Sequence, residues 1–199
     1  YTFDNTELKW LDGHVIEGKH VFPASAYIYM LWKINNFSDI KIENFVVDRK
    51  INLNNKDEIS FRIDIENDEY KFYHNDILST SAKIIPMNDI NLNLDLTYSD
   101  NSITKYQFYN YIKKIGYDYY NDYQNIESYD YTHKTYKIRN DINIIAYLDT
   151  FYQAIIVQSN VLLLPISTKS IILTNFKNLK YILSIKKNPE INIGNNSIY

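Results

Sequence analysis

Cysteine is absent from the 199-residue chain, and glycine and proline are scarce, with four of each. Without cysteine the chain can form no disulfide, no thiolate metal site and no cysteine nucleophile. The sequence also contains neither a G-x-S-x-G element nor a glycine-rich phosphate loop, so serine-hydrolase and nucleotide-binding motifs are excluded.

Long hydrophobic runs and long basic runs are missing as well. The longest apolar runs, near 27–32 and 155–166, are shorter than the roughly 20 residues that cross a membrane. The first residues do not form a basic-then-apolar leader. The formal net charge is −3 and no stretch is rich enough in Lys or Arg to bind a polyanion. We therefore expect a cytoplasmic protein with no nucleic-acid or membrane partner.

The residues that are present favour a packed core. Hydrophobic residues make up 45% of the chain and aromatic residues 16%, with 20 tyrosines, which is typical of a folded protein. The length suits one good-sized domain or two small ones that share a core.

Residues 10–32 contain the most informative spacing, His14, Gly18 and Pro23 in an H-x3-G-x4-P pattern. This spacing predicts a histidine at the end of a strand, a glycine whose backbone N–H can approach a bound carbonyl, and a proline that starts a helix. The residues after the proline, 24–34, carry almost no charge, which predicts a buried helix. The histidine would then lie beside a helix N-terminus, which favours anions.

A second candidate group lies in an apolar run at 142–159, which also predicts a helix. Asp149 and Gln153 are four residues apart, so they share one helical face and can form a hydrogen bond. A carboxyl in an apolar helix is costly unless it is paired, protonated or used in chemistry. A solvated helix edge is the alternative explanation for Asp149.

Between these helices the sequence predicts strands, turns and a connection. Residues 1–9 predict a short strand or lead-in. Residues 86–105 predict a connection with a possible edge strand at 92–96. Residues 106–115 predict a helix that ends at Gly116. Asn-Asp turns are predicted at 67–68 and 75–76, and the tail from residue 188 is expected to fray. The remaining strands are predicted at 40–48, 58–66, 70–73, 79–85, 130–139, 162–173 and 180–186. These elements give a first half at 1–86, a linker at 87–105 and a second half at 106–199.

The H-x3-G-x4-P stretch resembles the first active-site motif of the dehydratase domains of animal-type fatty acid synthases and modular polyketide synthases. In that family a small residue and an aromatic residue follow the proline. The matching residues are His14, Gly18, Phe22, Pro23, Ala24 and Tyr27.

Two further stretches strengthen the resemblance. GYDYYNDYQ, which begins at Gly116, is similar to the family's G-Y-x-Y-G-P-x-F-Q element, with Tyr123 in place of Phe. Tyr120 and Asn121 stand where the family usually has Gly and Pro. YLDTFYQAI and the downstream LLLPISTKSIIL resemble the L-D-x3-Q pattern and its L-P-x-S/T strand, most closely in the animal fatty acid synthase version. The other aligned residues are Tyr117, Tyr119, Gln124, Asp149 and Gln153.

The resemblance implies an α+β double hot-dog fold, in which each half has a helix wrapped by an antiparallel sheet. It implies the loss of water from a (3R)-3-hydroxyacyl thioester on acyl carrier protein, which gives the trans-2-enoyl thioester. His14 would be the base, and Asp149 would protonate the leaving hydroxyl with Gln153 orienting it. The Gly18 N–H, beside the helix that Pro23 starts, would stabilise charge on the thioester oxygen, and Tyr119 would bond the 3-hydroxyl.

The partners follow from the same resemblance. They are acyl carrier protein with its phosphopantetheine arm, neighbouring synthase domains, and a second copy in a homodimer through the parent synthase. No metal or redox cofactor is implied, and His14 and His20 lack further ligands for a metal site. Two alternatives stay open: a catalytically silent structural module, and a related isomerase or cyclase that uses the same acid and base.

Overall fold

A computed structural model describes residues 1–53, 58–87, 102–133, 135–139, 143–157, 162, 164–173, 183–184 and 191–194. Four α-helices lie in these ranges: α1 (Asn5–Trp10), α2 (Ala24–Ile34), α3 (Lys105–Lys114) and α4 (Ile144–Ile156). A short 3-10 helix spans Asn121–Tyr123.

The described strands are antiparallel in every pair. They are β1 (Val15–Ile16), β2 (Lys19–His20), β3 (Ile40–Val47), β4 (Arg62–Glu66), β5 (Glu69–His74), β6 (Ile77–Pro86), β7 (Ser102–Thr104), β8 (Ile126–Asp130), β9 (Thr135–Ile138), β10 (Leu164–Leu173), β11 (Leu183–Ser184) and β12 (Ile191–Gly194). One sheet has the order β12-β10-β3-β6-β5-β4, a second has the order β11-β9-β8-β7, and β1 and β2 form a short hairpin.

Helices α2 and α4 form where apolar residues dominate. The predicted helix at 24–34 is confirmed, and every residue from Ser25 to Trp32 is buried. Pro23 was expected to be the first helical residue, but it is the N-cap of α2, one position before the helix begins at Ala24. The helix predicted at 142–159 is confirmed over 144–156. The helix predicted at 106–115 is confirmed, and Gly116 follows it with a φ of +104°, which suits a residue without a side chain.

Some local predictions are wrong, and hydrogen bonds explain why. The strand or lead-in expected at 1–9 is interrupted by α1, because Asp4 and Glu7 form a capping box around its first turn. The single strand expected at 130–139 is a hairpin of β8 and β9. Its turn forms because the Asp130 carboxylate accepts hydrogen bonds from the backbone N–H groups of Thr132 and His133.

The predicted linker and tail need corrections where they are described. Ser102–Thr104 is strand β7 because it pairs with β8, and α3 begins at Lys105. Part of the tail, Ile191–Gly194, pairs with β10 and is therefore not frayed. The proposed edge strand at 92–96 lies outside the described residues. The division at 86 and 106 stays a prediction.

The two parts of the chain are joined by pairing and by packing. Strand β10 from the second half pairs with β3 from the first half along residues 167–173, and α2 contacts α4. Buried side chains from both halves, such as Met30, Phe45, Phe108 and Ile145, lie in one hydrophobic cluster. The N-terminus of α2 and the middle of α4 therefore meet inside the molecule.

Candidate active site

His14 lies just before β1 rather than at the end of a strand, and it is 5% exposed. Its Nδ1 is 2.8 Å from the carbonyl oxygen of Val21. A carbonyl oxygen can only accept, so Nδ1 carries the proton of the neutral ring and Nε2 keeps a lone pair. The bond to Val21 therefore leaves Nε2 as the basic atom.

The structure brings Asp149 to this atom. Asp149 lies on α4, is 2% exposed, and places Oδ1 3.8 Å from Nε2 of His14. Ser25 on α2 donates from Oγ to the same Oδ1 at 3.2 Å. The sequence-predicted acid and base, from opposite halves of the chain, thus lie on one cavity wall.

Gln153 orients the carboxyl of Asp149 as its spacing predicts. Its Nε2 donates to Oδ2 of Asp149 at 3.1 Å and to the carbonyl oxygen of Tyr123 at 2.9 Å. Tyr109 donates from its hydroxyl to Oε1 of Gln153 at 2.8 Å. Oδ2 thus accepts from Gln153 and Oδ1 accepts from Ser25, and Oδ1 is the oxygen that lies nearer to His14. Gln153 is fully buried and acts through Asp149, not as one of the residues that line the cavity.

Burial shifts both ionisable groups toward their neutral forms. Desolvation lowers the pKa of His14, although the nearby Asp149 opposes the shift. Desolvation also raises the pKa of Asp149, against the smaller effects of His14, Gln153 and Ser25. A neutral imidazole next to a protonated carboxyl is a base next to an acid.

Tyr119 contacts the base directly. Its hydroxyl lies 3.2 Å from Nε2 of His14, and it must donate because Nε2 has only a lone pair. Desolvation raises the pKa of Tyr119 well above its usual value, so the hydroxyl stays protonated. Tyr119 is itself held by Gln124, whose Nε2 donates to its carbonyl oxygen at 2.7 Å.

These groups line a cavity of about 590 Å³. The catalytic candidates His14 and Asp149 and the predicted substrate-binding residue Tyr119 share it with mostly apolar neighbours. Asp48, Arg49 and Lys50 add charge where the chain leaves β3. The other lining residues are Ile16, Val21, Phe22, Ala24, Val46, Val47, Tyr117, Tyr152, Ile156 and Ser167.

Two residues predicted to bind substrate lie elsewhere. Gly18 is in the exposed turn between β1 and β2, outside the residues that line the cavity, and its N–H donates to Oδ2 of Asp118 at 3.2 Å. The Gly18 N–H is therefore engaged outside the cavity in this structure, and its role as the donor to a thioester oxygen stays a prediction. Pro23 is also absent from the lining and acts as the N-cap of α2, next to Ala24, which does line the cavity.

Sequence reasoning missed two buried residues around Asp149. Ser25 follows the motif proline by two positions, and this short spacing from a helix start was a usable signal. Tyr109 gave no signal, because one tyrosine among 20 is not distinctive.

The described part of the chain contains no cluster of three or more His, Cys, Asp or Glu residues suited to a metal ion. Within the same residues, no helix is long and apolar enough to cross a membrane.

Comparison with known proteins agrees with the geometry. The family described as the polyketide synthase dehydratase domain matches residues 1–80, which include His14. No curated protein matches the chain in sequence.

Three solved dehydratase domains share the fold. The domain from the CurJ module of Curacin polyketide synthase is 14% identical, with 89% of this chain and 74% of that chain covered and a TM-score of 0.71. The domain of a trans-AT polyketide synthase from Brevibacillus brevis is 17% identical, with 85% and 74% covered and a TM-score of 0.70. The domain from the CurK module is 16% identical, with 94% and 80% covered and a TM-score of 0.66.

Similar structures also include inactive mutants of these domains. In CurJ and CurK a histidine is replaced by phenylalanine, and in CurK an aspartate is replaced by asparagine. The predicted resemblance to polyketide synthase dehydratase domains is confirmed by these matches, and so is the α+β hot-dog fold.

Proposed function

We propose that this chain is a dehydratase domain of a polyketide synthase that removes water from a (3R)-3-hydroxyacyl thioester carried on acyl carrier protein. The product is the trans-2-enoyl thioester. The observation that carries the proposal is the buried pair of His14 and Asp149, with Nε2 and Oδ1 3.8 Å apart on the wall of one cavity.

The elimination uses the two side chains in turn. Nε2 of His14 takes a proton from C2 of the thioester, the C2–H electron pair forms the C2=C3 bond, and the C3–O bond breaks. The proton on Asp149 goes to the departing hydroxyl, which leaves as water. Histidine is then an imidazolium and aspartate a carboxylate, and return of the proton across their short separation restores the starting pair.

The thioester oxygen gains negative charge as the C2 proton leaves, and it needs a donor. Gly18 is not among the lining residues, whereas Ala24 is, so we assign this role to the N-terminus of α2 at Ala24. Pro23 supplies no side-chain cap to α2, which leaves first-turn N–H groups and the positive end of the helix dipole to meet the charge.

The inactive mutants of the similar domains support these roles. A histidine and an aspartate are the residue types changed in those mutants. In this chain His14 and Asp149 line the cavity as a buried pair, whereas the other lining aspartate, Asp48, is exposed. Because both the acid and the base are side chains, the reaction needs no metal or redox cofactor.

The charges along residues 48–50 suit a carrier-bound substrate. Arg49 and Lys50 bring two positive charges to the lining and Asp48 brings one negative charge, so this segment carries a net positive charge. Such a segment attracts the phosphate of a phosphopantetheine arm. Acyl carrier protein is therefore the proposed partner, together with neighbouring synthase domains; the homodimer and the cytoplasmic location stay predictions.

The test follows enoyl thioester formation from a 3-hydroxyacyl carrier protein by mass spectrometry. We expect His14→Phe and Asp149→Asn each to reduce the rate by about 10²–10⁴-fold, the usual contribution of a general acid or base. Asp149→Asn keeps the size of the side chain and can still accept from Gln153 through its amide oxygen, so it should fold.

His133→Phe is the matched control, because this histidine lies in the β8–β9 turn and is not among the lining residues. We expect it to keep wild-type activity. Inactivity of the folded wild type would contradict the proposal and favour a silent structural module. A shifted double bond or a cyclic ether as the main product would instead favour the isomerase or cyclase.

A further inference from the structure

The two segments that carry His14 and Tyr119 are joined by a short backbone ladder. Glu17 N donates to Gly116 O at 2.8 Å, Asp118 N to Val15 O at 2.9 Å, and Tyr120 N to Gly13 O at 3.1 Å. An isolated antiparallel bridge between Ile16 and Tyr117 belongs to the same register.

This register places the side chains of His14 and Tyr119 opposite each other. Backbone bonds pair residue 13 with residue 120 and residue 15 with residue 118. Residue 14 therefore lies opposite residue 119, and residue 16 lies opposite residue 117. Antiparallel partners that do not exchange hydrogen bonds have the closest side chains. The four side chains share one face, and all four line the cavity: His14, Ile16, Tyr117 and Tyr119.

The ladder ends at a contact that only glycine permits. A Cβ on Gly13 would lie 2.1 Å from the carbonyl oxygen of Tyr120 and 3.1 Å from Cδ2 of Tyr123. The oxygen of Tyr120 cannot easily move, because it accepts a hydrogen bond from Tyr123 N at 3.1 Å. Gly13 is not among the glycines with positive φ. Glycine is therefore required here by the lack of space for a side chain, not by backbone conformation.

The position of this oxygen depends on Asn121. Asn121 has a φ of +51°, a conformation that asparagine tolerates and that proline, with φ fixed near about −65°, cannot adopt. The peptide between residues 120 and 121 carries the oxygen that approaches Gly13. The loop therefore follows a path that is closed to the Gly-Pro pair usually found at these two positions in the resembling motif.

We propose that Gly13 is a positioning residue that holds Tyr119 against His14, and that it is coupled to Asn121, whose loop conformation leaves no room for a side chain at position 13. The catalytic consequence rests on the proposed function, whereas the register and the contact do not.

The first experiment measures the contact itself by ¹⁵N NMR of the His14 ring. In the wild-type background, we expect Tyr119→Phe to shift the Nε2 resonance, because the donor to that lone pair is lost. In a Gly13→Ala background, Tyr119→Phe should leave the resonance unchanged, because the contact is already broken. An equal shift in both backgrounds would overturn the proposal.

Gly18→Ala is the matched control. Gly18 has a positive φ of +70°, but a Cβ there would meet nothing within 4 Å. We expect Tyr119→Phe to shift the Nε2 resonance in the Gly18→Ala background as it does in the wild type. This control therefore distinguishes general destabilisation of the chain from a displaced Tyr119. If Gly18→Ala abolished the shift as Gly13→Ala does, general destabilisation would explain both and the proposal would fail.

The second experiment tests the coupling with a Tyr120→Gly/Asn121→Pro loop. In this loop we expect Gly13→Ala to be accepted, with the Tyr119-dependent shift retained, because the carbonyl oxygen has moved away. If Gly13→Ala with the native loop fails to fold, the variant that combines Gly13→Ala with the new loop still tests the coupling. Loss of the shift when alanine is combined with the new loop would overturn the coupling.

Kinetics add a readout that depends on the proposed function. With the native loop, Gly13→Ala should lower kcat by about 10²-fold, the effect of a displacement near 1 Å, with KM within about twofold of wild type. A rise in KM at unchanged kcat would contradict a positioning role. If the wild type showed no dehydratase activity, the NMR results would still decide the proposal.

Discussion

At the residue scale, the candidate site contains two tyrosines that contact His14 and differ in their hydroxyl groups. The ring centroids of Tyr119 and Tyr123 lie 5.1 and 5.2 Å from that of His14. The Tyr119 hydroxyl donates to Nε2 of His14, whereas the buried Tyr123 hydroxyl has no hydrogen-bond partner among the described residues. A buried hydroxyl without a partner is costly.

We predict that Tyr123→Phe raises the free energy of unfolding by about 1 kcal/mol, because it removes an unpaired polar group and keeps the ring. Activity should stay within about threefold of wild type. Chemical denaturation and enoyl formation are the measurements. Tyr119→Phe, the matched variant, should lose activity without this gain in stability. A loss of stability in Tyr123→Phe would show that its hydroxyl has a partner.

At the element scale, the carboxylate of Glu7 on α1 forms hydrogen bonds that link α1 to α2. Oε1 of Glu7 accepts hydrogen bonds from the hydroxyls of Tyr1 and Tyr29, both at 2.7 Å, and from Nζ of Lys33 at 2.6 Å. Burial alone would raise the pKa of Glu7, but the bonds from Lys33, Tyr1 and Tyr29 lower it overall. This helix contact therefore favours the charged form of Glu7.

We predict that Glu7→Gln lowers the free energy of unfolding at pH 7 by about 1.5–3 kcal/mol, the value of hydrogen bonds to a charged group. A lowered native pKa stabilises the fold above the unfolded value, about 4.3 for Glu, and this gain is lost as pH falls through the native pKa.

Denaturation from pH 7 down to pH 3 checks the prediction, because the gap between wild type and Glu7→Gln should close with acid. Glu58→Gln, at an exposed glutamate, should follow the wild type at every pH. A gap of constant size would contradict the role assigned to the charge.

At the scale of the whole molecule, β10 ties the half that contains Asp149 to the half that contains His14. Thr168 pairs with Phe45 of β3 on one side and with Ile191 of β12 on the other. It is 2% exposed, and its Oγ1 lies 3.5 Å from the hydroxyl of Tyr152 on α4. The strand thus supports α4 from the sheet of the other half.

We predict that Thr168→Pro lowers the free energy of unfolding by about 3 kcal/mol, because proline removes a donor within a sheet that has neighbours on both sides. Hydrogen exchange of the β3 amides should become faster, and dehydratase activity should fall with it. Thr168→Val keeps the N–H and should leave exchange in β3 close to wild type. Unchanged exchange in the proline variant would show that the halves do not depend on this strand.

Several elements, two turns and one hydrogen bond of the candidate site followed from local sequence. Helix α2 was predictable because a run that is apolar nearly all round is stable only when buried, and the Asn-Asp pairs at 67–68 and 75–76 mark turns because these residues tolerate the positive φ found there. The spacing of Asp149 and Gln153 predicted their hydrogen bond. The Asp4 and Glu7 spacing of a capping box was also present in the sequence, although residues 1–9 were interpreted as a strand or lead-in.

By itself, then, the sequence determined which residue types could supply the acid and base and which local elements carry them, since helical periodicity and turn preference act over a few residues. Only the tertiary structure decided how those groups face each other. The bond from Ser25 to Asp149 joins residues 124 apart, the tautomer of His14 depends on the Val21 carbonyl, and Gly18 turned out to face Asp118. Contacts over such distances depend on how helices and sheets pack, and no local pattern encodes that packing.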